Sequence, residues 1–302
     1  MSDTVTNETT AAVEERDPSL GPGDVSTGPA GEINGTVPII FLDNVSVVFN
    51  TRTGSLLHPN KVQAVKDLTL RLMPGETLGI VGESGCGKST TANIMCGLQQ
   101  PTSGTVYFKG EDVTKRSAAQ RRLIGRVISV VFQDPATALN ARMSVHDQLI
   151  DPLNVHSVGT KDEREKRVNS LIEMVGLPGS VMEALPGQLS GGQRQRVAIA
   201  RALALSPDAI IADEPTSALD VSVRAQILNL LTDLKKELGL SMVFISHDIQ
   251  TVRYISDRIV VMNRGQAVER GSAEQVFNNP KDDYTRLLLG AAPSLLHPDL
   301  GK

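Results

Sequence analysis

The stretch Leu78-Gly79-Ile80-Val81-Gly82-Glu83-Ser84-Gly85-Cys86-Gly87-Lys88-Ser89-Thr90 decides how the rest of the chain reads. Residues 82–89 fit the pattern G-x-x-x-x-G-K-[ST]. The four residues before them make a short apolar run with β character, and residues 88–95 read as a helix. Strand, glycine-rich loop and helix in that order aim consecutive backbone N–H groups and a helix N-terminus at one anion. Gly82, Gly85 and Gly87 permit the positive φ angles and the close backbone approach that this needs. The loop, with Glu83, Ser84 and Cys86 between its glycines and Thr90 behind it, is the candidate ATP site. Lys88 would reach the β- and γ-phosphates, and the Ser89 hydroxyl would ligate Mg²⁺.

Two further segments converge on the same chemistry. Asp208-Ala209-Ile210-Ile211-Ala212-Asp213-Glu214-Pro215 is an apolar strand that ends in adjacent acids. In a parallel sheet its C-terminal end lies beside the glycine-rich loop, where open α/β sheets bind ligands. Asp213 can there hold Mg²⁺, and Glu214 can orient and polarise an attacking water. Val243-Phe244-Ile245-Ser246-His247-Asp248 brings His247 to the same sheet edge, where an imidazole can hydrogen-bond a γ-phosphate.

Outward from these segments the chain organises as follows. Residues 1–36 are rich in Thr, Glu, Gly, Pro and Ser, bury too little to offset ordering entropy, and are expected to form a disordered tail. Strand patterns start at Ile39-Ile40-Phe41-Leu42 and resume at Val45-Ser46-Val47-Val48-Phe49. A loop is expected at 51–60 and an alternating strand at 62–72. Residues 134–205 read as helices separated by turns, an inserted subdomain that includes an amphipathic helix at 161–175. Strands and helices then alternate at 209–212, 221–238, 241–246 and 249–255, and a hairpin turns at Arg264-Gly265. This alternation predicts an α/β protein with a helix-covered parallel sheet. The expected main domain covers 37–290, and 291–302 form a short tail.

Composition removes several alternatives. A formal net charge of −4 over 302 residues gives no basic field for nucleic acid, and 3% aromatics with no Trp leaves little for base stacking. No stretch approaches the roughly 18 apolar residues of a membrane span. The beginning of the sequence is acidic and shows no apolar signal core, so secretion is not expected. Cys86 and Cys96, the two cysteines, have no disulfide or cluster spacing and read as reduced thiols.

A last motif separates families that share the glycine-rich loop. Leu189-Ser190-Gly191-Gly192-Gln193 precedes the helical run Arg194-Gln195-Arg196-Val197-Ala198-Ile199-Ala200-Arg201-Ala202-Leu203. Ser190 and the two glycines put a hydroxyl and bare amides at a second helix N-terminus, a second anion site. One chain scarcely needs two such sites unless one serves another subunit.

In motif type, order and spacing, residues 38–290 resemble an ABC-transporter nucleotide-binding subunit. The resemblance implies a RecA-like P-loop core with an antiparallel β subdomain and an inserted α-helical subdomain carrying the signature at 189–193. It implies two subunits paired head-to-tail around two ATP molecules, each between the glycine-rich loop of one chain and the signature of the other. It assigns Gln133 to a loop that touches Mg²⁺ and water and senses membrane subunits. It places Ser217-Ala218-Leu219-Asp220 at the dimer interface and Phe49 against adenine.

Residues 79–90, 217–226 and 277–288 further resemble the dipeptide/oligopeptide permease branch, which also contains nickel and glutathione importers. Lys281-Asp282-Asp283-Tyr284 departs from that branch's commoner His-Pro-Tyr. The branch implies two transmembrane permease subunits, a second and non-identical ATPase subunit, and an extracytoplasmic substrate-binding protein. The chain itself would lie on the cytoplasmic face of the cell membrane. Gln133 and residues 135–145 would form the docking surface for the permease. Some members bind an iron–sulfur cluster through C-terminal cysteines; no cysteine follows Cys96, so none is expected here. Soluble ABC ATPases of translation or DNA repair usually carry two cassettes or a long inserted coiled coil, and neither is visible.

Overall fold

The computed structural model describes residues 29–55 and 58–291. Strands β1 (Ile40–Ser55) and β2 (His58–Leu72) pair antiparallel, and β3 (Thr77–Val81) leads through the glycine-rich loop into helix α1 (Lys88–Met95). Then come β4 (Ser103–Phe108), β5 (Glu111–Asp112), α2 (Ala118–Val127) and β6 (Ile128–Val131). Four helices follow: α3 (Pro135–Ala138), α4 (Val145–Val155), α5 (Lys161–Met174) and α6 (Gly191–Leu203). The chain returns to alternation with β7 (Ala209–Asp213), α7 (Val221–Leu238), β8 (Ser241–Ser246) and α8 (Ile249–Ile255). It closes with the hairpin β9 (Arg258–Asn263) and β10 (Gln266–Ser272), then α9 (Ala273–Asn278) and α10 (Asp283–Ala291).

Two sheets result. The larger has the order β10-β9-β3-β8-β7-β6, with β10 antiparallel on its edge and the other five strands parallel. The smaller is antiparallel, β2-β1-β4-β5. Side chains of the large sheet alternate between two cores, as the period of a strand buried on both faces demands. Ile210, Ala212, Met242, Phe244, Ile259 and Val261 face the core shared with α4–α9. Ala209, Ile211, Val243, Ile245, Val260 and Met262 face α1 and the antiparallel sheet. The sequence therefore reads correctly as a RecA-like core, an antiparallel β portion and a helical insertion.

Side-chain caps start the inserted helices. In α5, Glu163 N–H donates to Thr160 Oγ1 at 3.3 Å while Glu163 Oε2 accepts from Thr160 N–H at 2.7 Å, a reciprocal capping box. The apolar stripe Val168, Leu171 and Ile172 of this helix is buried.

Two expectations do not hold. Residues 51–60 were expected as a loop, yet β1 runs to Ser55 and β2 begins at His58, with Gly54 opposite Pro59 and Ser55 opposite His58. A ladder needs only backbone N–H and C=O groups, so a polar segment extends it without apolar alternation. Pro59 is tolerated because β2 is an edge strand. The break in pattern at Asp43-Asn44 is instead a bulge inside β1, with Asn44 at φ +50°.

The second departure concerns the tail expected at 1–36. Its part at 1–28 lies outside the described residues, but Ile33 is buried and Gly31 O accepts from Arg71 Nη1 at 2.9 Å. Arg71 is fully buried, its guanidinium lies 4.8 Å from the Phe41 ring centroid, and burial, with Arg258 nearby, lowers its pKa to about 10. A buried cation attracts backbone carbonyls, which is why this polar segment docks. The expected tail at 292–302 lies outside the described residues. No helix among the described residues is long and apolar enough to cross a membrane.

The seat of α8 on β3 has no slack. A Cβ added at Gly79 would lie 2.4 Å from Val252 Cγ1 and 2.4 Å from Ser256 Oγ. Gly79→Ala is expected to destabilise the fold by about 1–3 kcal/mol, read as a lower urea midpoint. An unchanged midpoint would show that α8 yields freely.

Candidate nucleotide site

The loop between β3 and α1 is shaped by contacts that exclude side chains. A Cβ at Gly82 would sit 2.2 Å from Met262 O, and one at Gly87, where φ is +108°, would sit 2.4 Å from Ala64 O. The turn of the β9–β10 hairpin supports this loop. Gly265 N–H donates to Cys86 O at 2.8 Å, and Gly265 O accepts from Lys66 N–H at 2.8 Å, so the turn ties the loop to β2. Sequence reading finds that hairpin but not its role; a bare backbone contact leaves no side-chain signal. Lys88 is 5% exposed and donates from Nζ to Gly82 O at 2.7 Å and to Glu83 O at 2.8 Å. Burial pushes the Cys86 thiol up, which keeps it protonated and makes it a packing residue.

Strand order brings the other candidates to the loop. β6, β7 and β8 are parallel neighbours, and Asp213 of β7 stands level with Ile245 of β8. Their C-terminal ends deliver Gln133, Glu214 and His247 to one place. Glu214 Oε2 accepts from Gln133 Nε2 at 3.2 Å and lies 3.2 Å from His247 Nδ1. The Glu214 backbone sits at φ +46°, an uncommon conformation for a residue with a side chain. Its N–H bonds to Ile245 O at 2.9 Å, and its carbonyl accepts from Ser217 N–H at 3.2 Å and Ser217 Oγ at 3.1 Å. Gln133, Glu214 and His247, together with Ala64, Ser84, Lys88 and Ser89, line a cleft of about 460 Å³.

Asp213 adjoins this cluster with a buried Oδ1 that has no hydrogen-bond partner. Burial pushes its carboxyl pKa up; the Ser89 hydroxyl, bonded to its side chain, works in the opposite direction. An orphaned carboxylate oxygen beside a hydroxyl and a phosphate loop fits Mg²⁺, which takes one or two protein oxygens and completes its shell with phosphate and water. A cage of three or more His, Cys, Asp or Glu side chains is absent among the described residues.

Other candidates stand apart from the cleft. Ser190 caps α6, accepting from Gln193 N–H at 3.3 Å while Gln193 Oε1 accepts from Ser190 N–H at 2.9 Å. Leu189 is buried beneath this turn. A Cβ at Gly192 would lie 2.7 Å from Val223 Cγ1, and one at Gly191 would lie 3.5 Å from Leu219 Cδ2. Asp220 caps α7, accepting from Val223 N–H at 2.9 Å. The two glycines of the turn thus lie against the start of α7, and neither residues 189–193 nor Asp220 line the cleft. Phe49, 41% exposed, stands opposite the exposed Val62 at the β1–β2 edge, also outside that lining.

Sequence reading missed one further contact. Tyr284 of α10 accepts a hydrogen bond from Glu83 N–H at 3.0 Å. The segment carrying Tyr284 is noticeable only as part of a longer pattern, and nothing local to it points to a loop two hundred residues earlier.

A phosphate-type loop on a RecA-like sheet, with a capped serine–glycine turn on a helical insertion, defines an ATP-binding cassette. Residues 65–217 match the ABC transporter family. The dipeptide transport ATP-binding protein DppF of Haemophilus influenzae is 42% identical over 87% of this chain and 81% of its own length. The oligopeptide transport ATP-binding protein OppF of Bacillus subtilis is 50% identical over 79% of this chain and 78% of its own. A solved ATP-binding cassette, a dimer in a post-hydrolysis state with ADP and Pi, is similar with a TM-score of 0.69 and 33% identity. That likeness covers 78% of this chain and 98% of the solved one. The chain belongs to the ABC transporter family, and it is an ATP-binding ATPase subunit of that family.

The burial of Asp213 gives a test with a defined sign. A folded-state pKa raised above the unfolded value means that the ionised form is disfavoured in the fold. The penalty is complete above the folded pKa and vanishes below the unfolded one. Asp213→Asn is therefore expected to raise the melting temperature of the nucleotide-free protein at pH 7. The gain should shrink as the pH falls through the carboxylate range. A variant less stable than wild type at pH 7 would contradict the assignment of burial as the dominant cause.

Proposed function

We propose that this ATPase energises an importer of dipeptides or oligopeptides, and that the cleft is one half of its hydrolytic site. The observation that carries the catalytic part is the carboxylate of Glu214, held between Gln133 and His247 beside Lys88 and Ser89. Lys88 and the amides of residues 85–90 bind the phosphates, and Phe49 meets the adenine ring. Glu214 takes a proton from the attacking water as its oxygen bonds to the γ-phosphorus and the bond to the ADP oxygen breaks. Gln133 orients that water, and His247 steadies the carboxylate and the γ-phosphate. Ser89, Asp213 and Gln133 are the groups that would hold Mg²⁺, which when bound neutralises phosphate charge.

The serine–glycine turn lies outside the cleft of its own chain, which supports a site completed by another subunit. The solved relative that is dimeric supports the same reading. In the importer the partner ATPase is a related but non-identical chain, two permease subunits span the membrane, and an extracytoplasmic protein delivers the substrate. The chain then lies peripherally on the cytoplasmic face. ATP closes the pair because γ-phosphate contacts bridge both chains, and hydrolysis releases it. Exposed Phe132, Leu98 and Val155 border a groove of about 410 Å³ near Gln133, consistent with permease docking there. Peptides are favoured as cargo by the names of the relatives. Reconstitution with the permease and binding protein tests this directly: peptides should stimulate ATP turnover, and stimulation by nickel or glutathione alone would reassign the cargo.

Two substitutions test the catalytic part. Glu214→Gln should retain ATP binding and lower turnover by about 10²-fold or more, with ATP-bound dimers accumulating on size exclusion. Wild-type turnover would remove Glu214 from the role of base. Ser190→Arg should leave the circular dichroism and ATP binding of the chain intact while blocking hydrolysis in the assembled pair. Normal hydrolysis would mean that this turn does not complete a partner's site.

A further inference from the structure

The peptide group joining Gly82 and Glu83 is gripped at both ends. Its carbonyl, Gly82 O, accepts from Lys88 Nζ at 2.7 Å, and its N–H donates to Tyr284 Oη at 3.0 Å. The orientation of this one plane therefore fixes where Gly82 O points, and with it where the buried ammonium rests. An amide whose N–H is already engaged is also a stronger acceptor at its carbonyl. An ammonium has three N–H donors, and Lys88 directs two of them at Gly82 O and Glu83 O.

Tyr284 reaches this plane from a rigid mount. Glu269 on the edge strand β10 is 9% exposed, and its two carboxylate oxygens accept from Lys281 N–H at 2.8 Å and Asp282 N–H at 3.1 Å. Asp282 Oδ1 accepts from Tyr284 N–H at 2.9 Å. A buried carboxylate that takes two backbone N–H groups pins the start of α10. The Tyr284 ring packs against the core shared by α4–α9, a task that its hydroxyl does not serve.

We propose that Tyr284 is a positioning residue of the nucleotide site, its hydroxyl holding the 82–83 peptide plane so that Lys88 is set to receive phosphate. The C-terminal helix α10, beyond the matched family segment at 65–217, thereby becomes part of the nucleotide-binding apparatus. The inference rests on the reading of Lys88 as the phosphate-binding lysine.

The test uses the purified full chain titrated with Mg²⁺ and the non-hydrolysable analogue AMP-PNP, beside melting curves of the nucleotide-free protein. Tyr284→Phe keeps the ring and removes the hydroxyl. Its Kd is expected to rise about five-fold, the equivalent of roughly 1 kcal/mol for one net hydrogen bond, with the melting temperature within about 3 °C of wild type. An unchanged Kd would overturn the inference. So would a weaker Kd accompanied by a larger fall in melting temperature, because the hydroxyl would then serve the fold. Lys88→Ala, run in parallel, should lose binding. If it binds as wild type, the reading of the loop itself fails; if only Tyr284→Phe binds as wild type, the positioning role alone falls.

Discussion

The hydrogen bond from Glu214 N–H to Ile245 O continues the β7–β8 ladder one residue past the strand, and the geometry of the cleft hangs on it. The ladder fixes where the chain leaves the sheet. The left-handed turn at Glu214 then aims the side chain back over the glycine-rich loop instead of along the strand. Because β6 and β8 flank β7 in parallel register, Gln133 and His247 arrive at the same height without needing a loop of special shape. A one-residue slip of β7 would turn its side chains to the opposite faces of the sheet and exchange the two cores. Registry and chemistry are thus specified by the same apolar alternation.

Against that frame the site holds local conformations that the fold must sustain. Asp213 is a carboxylate held where burial opposes its charge, and Glu214 occupies a backbone region sparsely used by residues with side chains. The Glu214 backbone is held by its bond to β8 and by two bonds from Ser217, and Asp213 by its place in the β7–β8 ladder. The glycine-rich loop is treated likewise: β9, the turn at Gly265, β2 and α10 each present main-chain atoms or a single hydroxyl to it. An anion-binding loop must keep its amides open, and support from behind achieves that.

What was legible in the sequence divides along a physical line. Strand 241–246, helix 221–238 and the turn at Arg264-Gly265 were readable because apolar period, caps and turn residues are local signals. Lys88, Glu214 and His247 were readable because each ends a strand or opens a helix, whereas Gln133, which joins them in the cleft, was assigned only through the family resemblance. The strand ends at 51–55 and 58–60 escaped because backbone pairing leaves no trace in polar side chains. The docking of residues 29–36 escaped because it depends on Arg71, a buried guanidinium forty residues on. Contacts made by Gly265 and Tyr284 are likewise products of tertiary proximity. Composition and period carry no information on them.

Gly192 and Val223 leave no room between α6 and α7 even for a methyl group. The serine–glycine turn and the helix start that Asp220 caps consequently lie in direct contact, like two teeth in mesh. A rotation of the helical insertion would have to slide Gly192 past Val223, part the two helices, or carry the start of α7 with it.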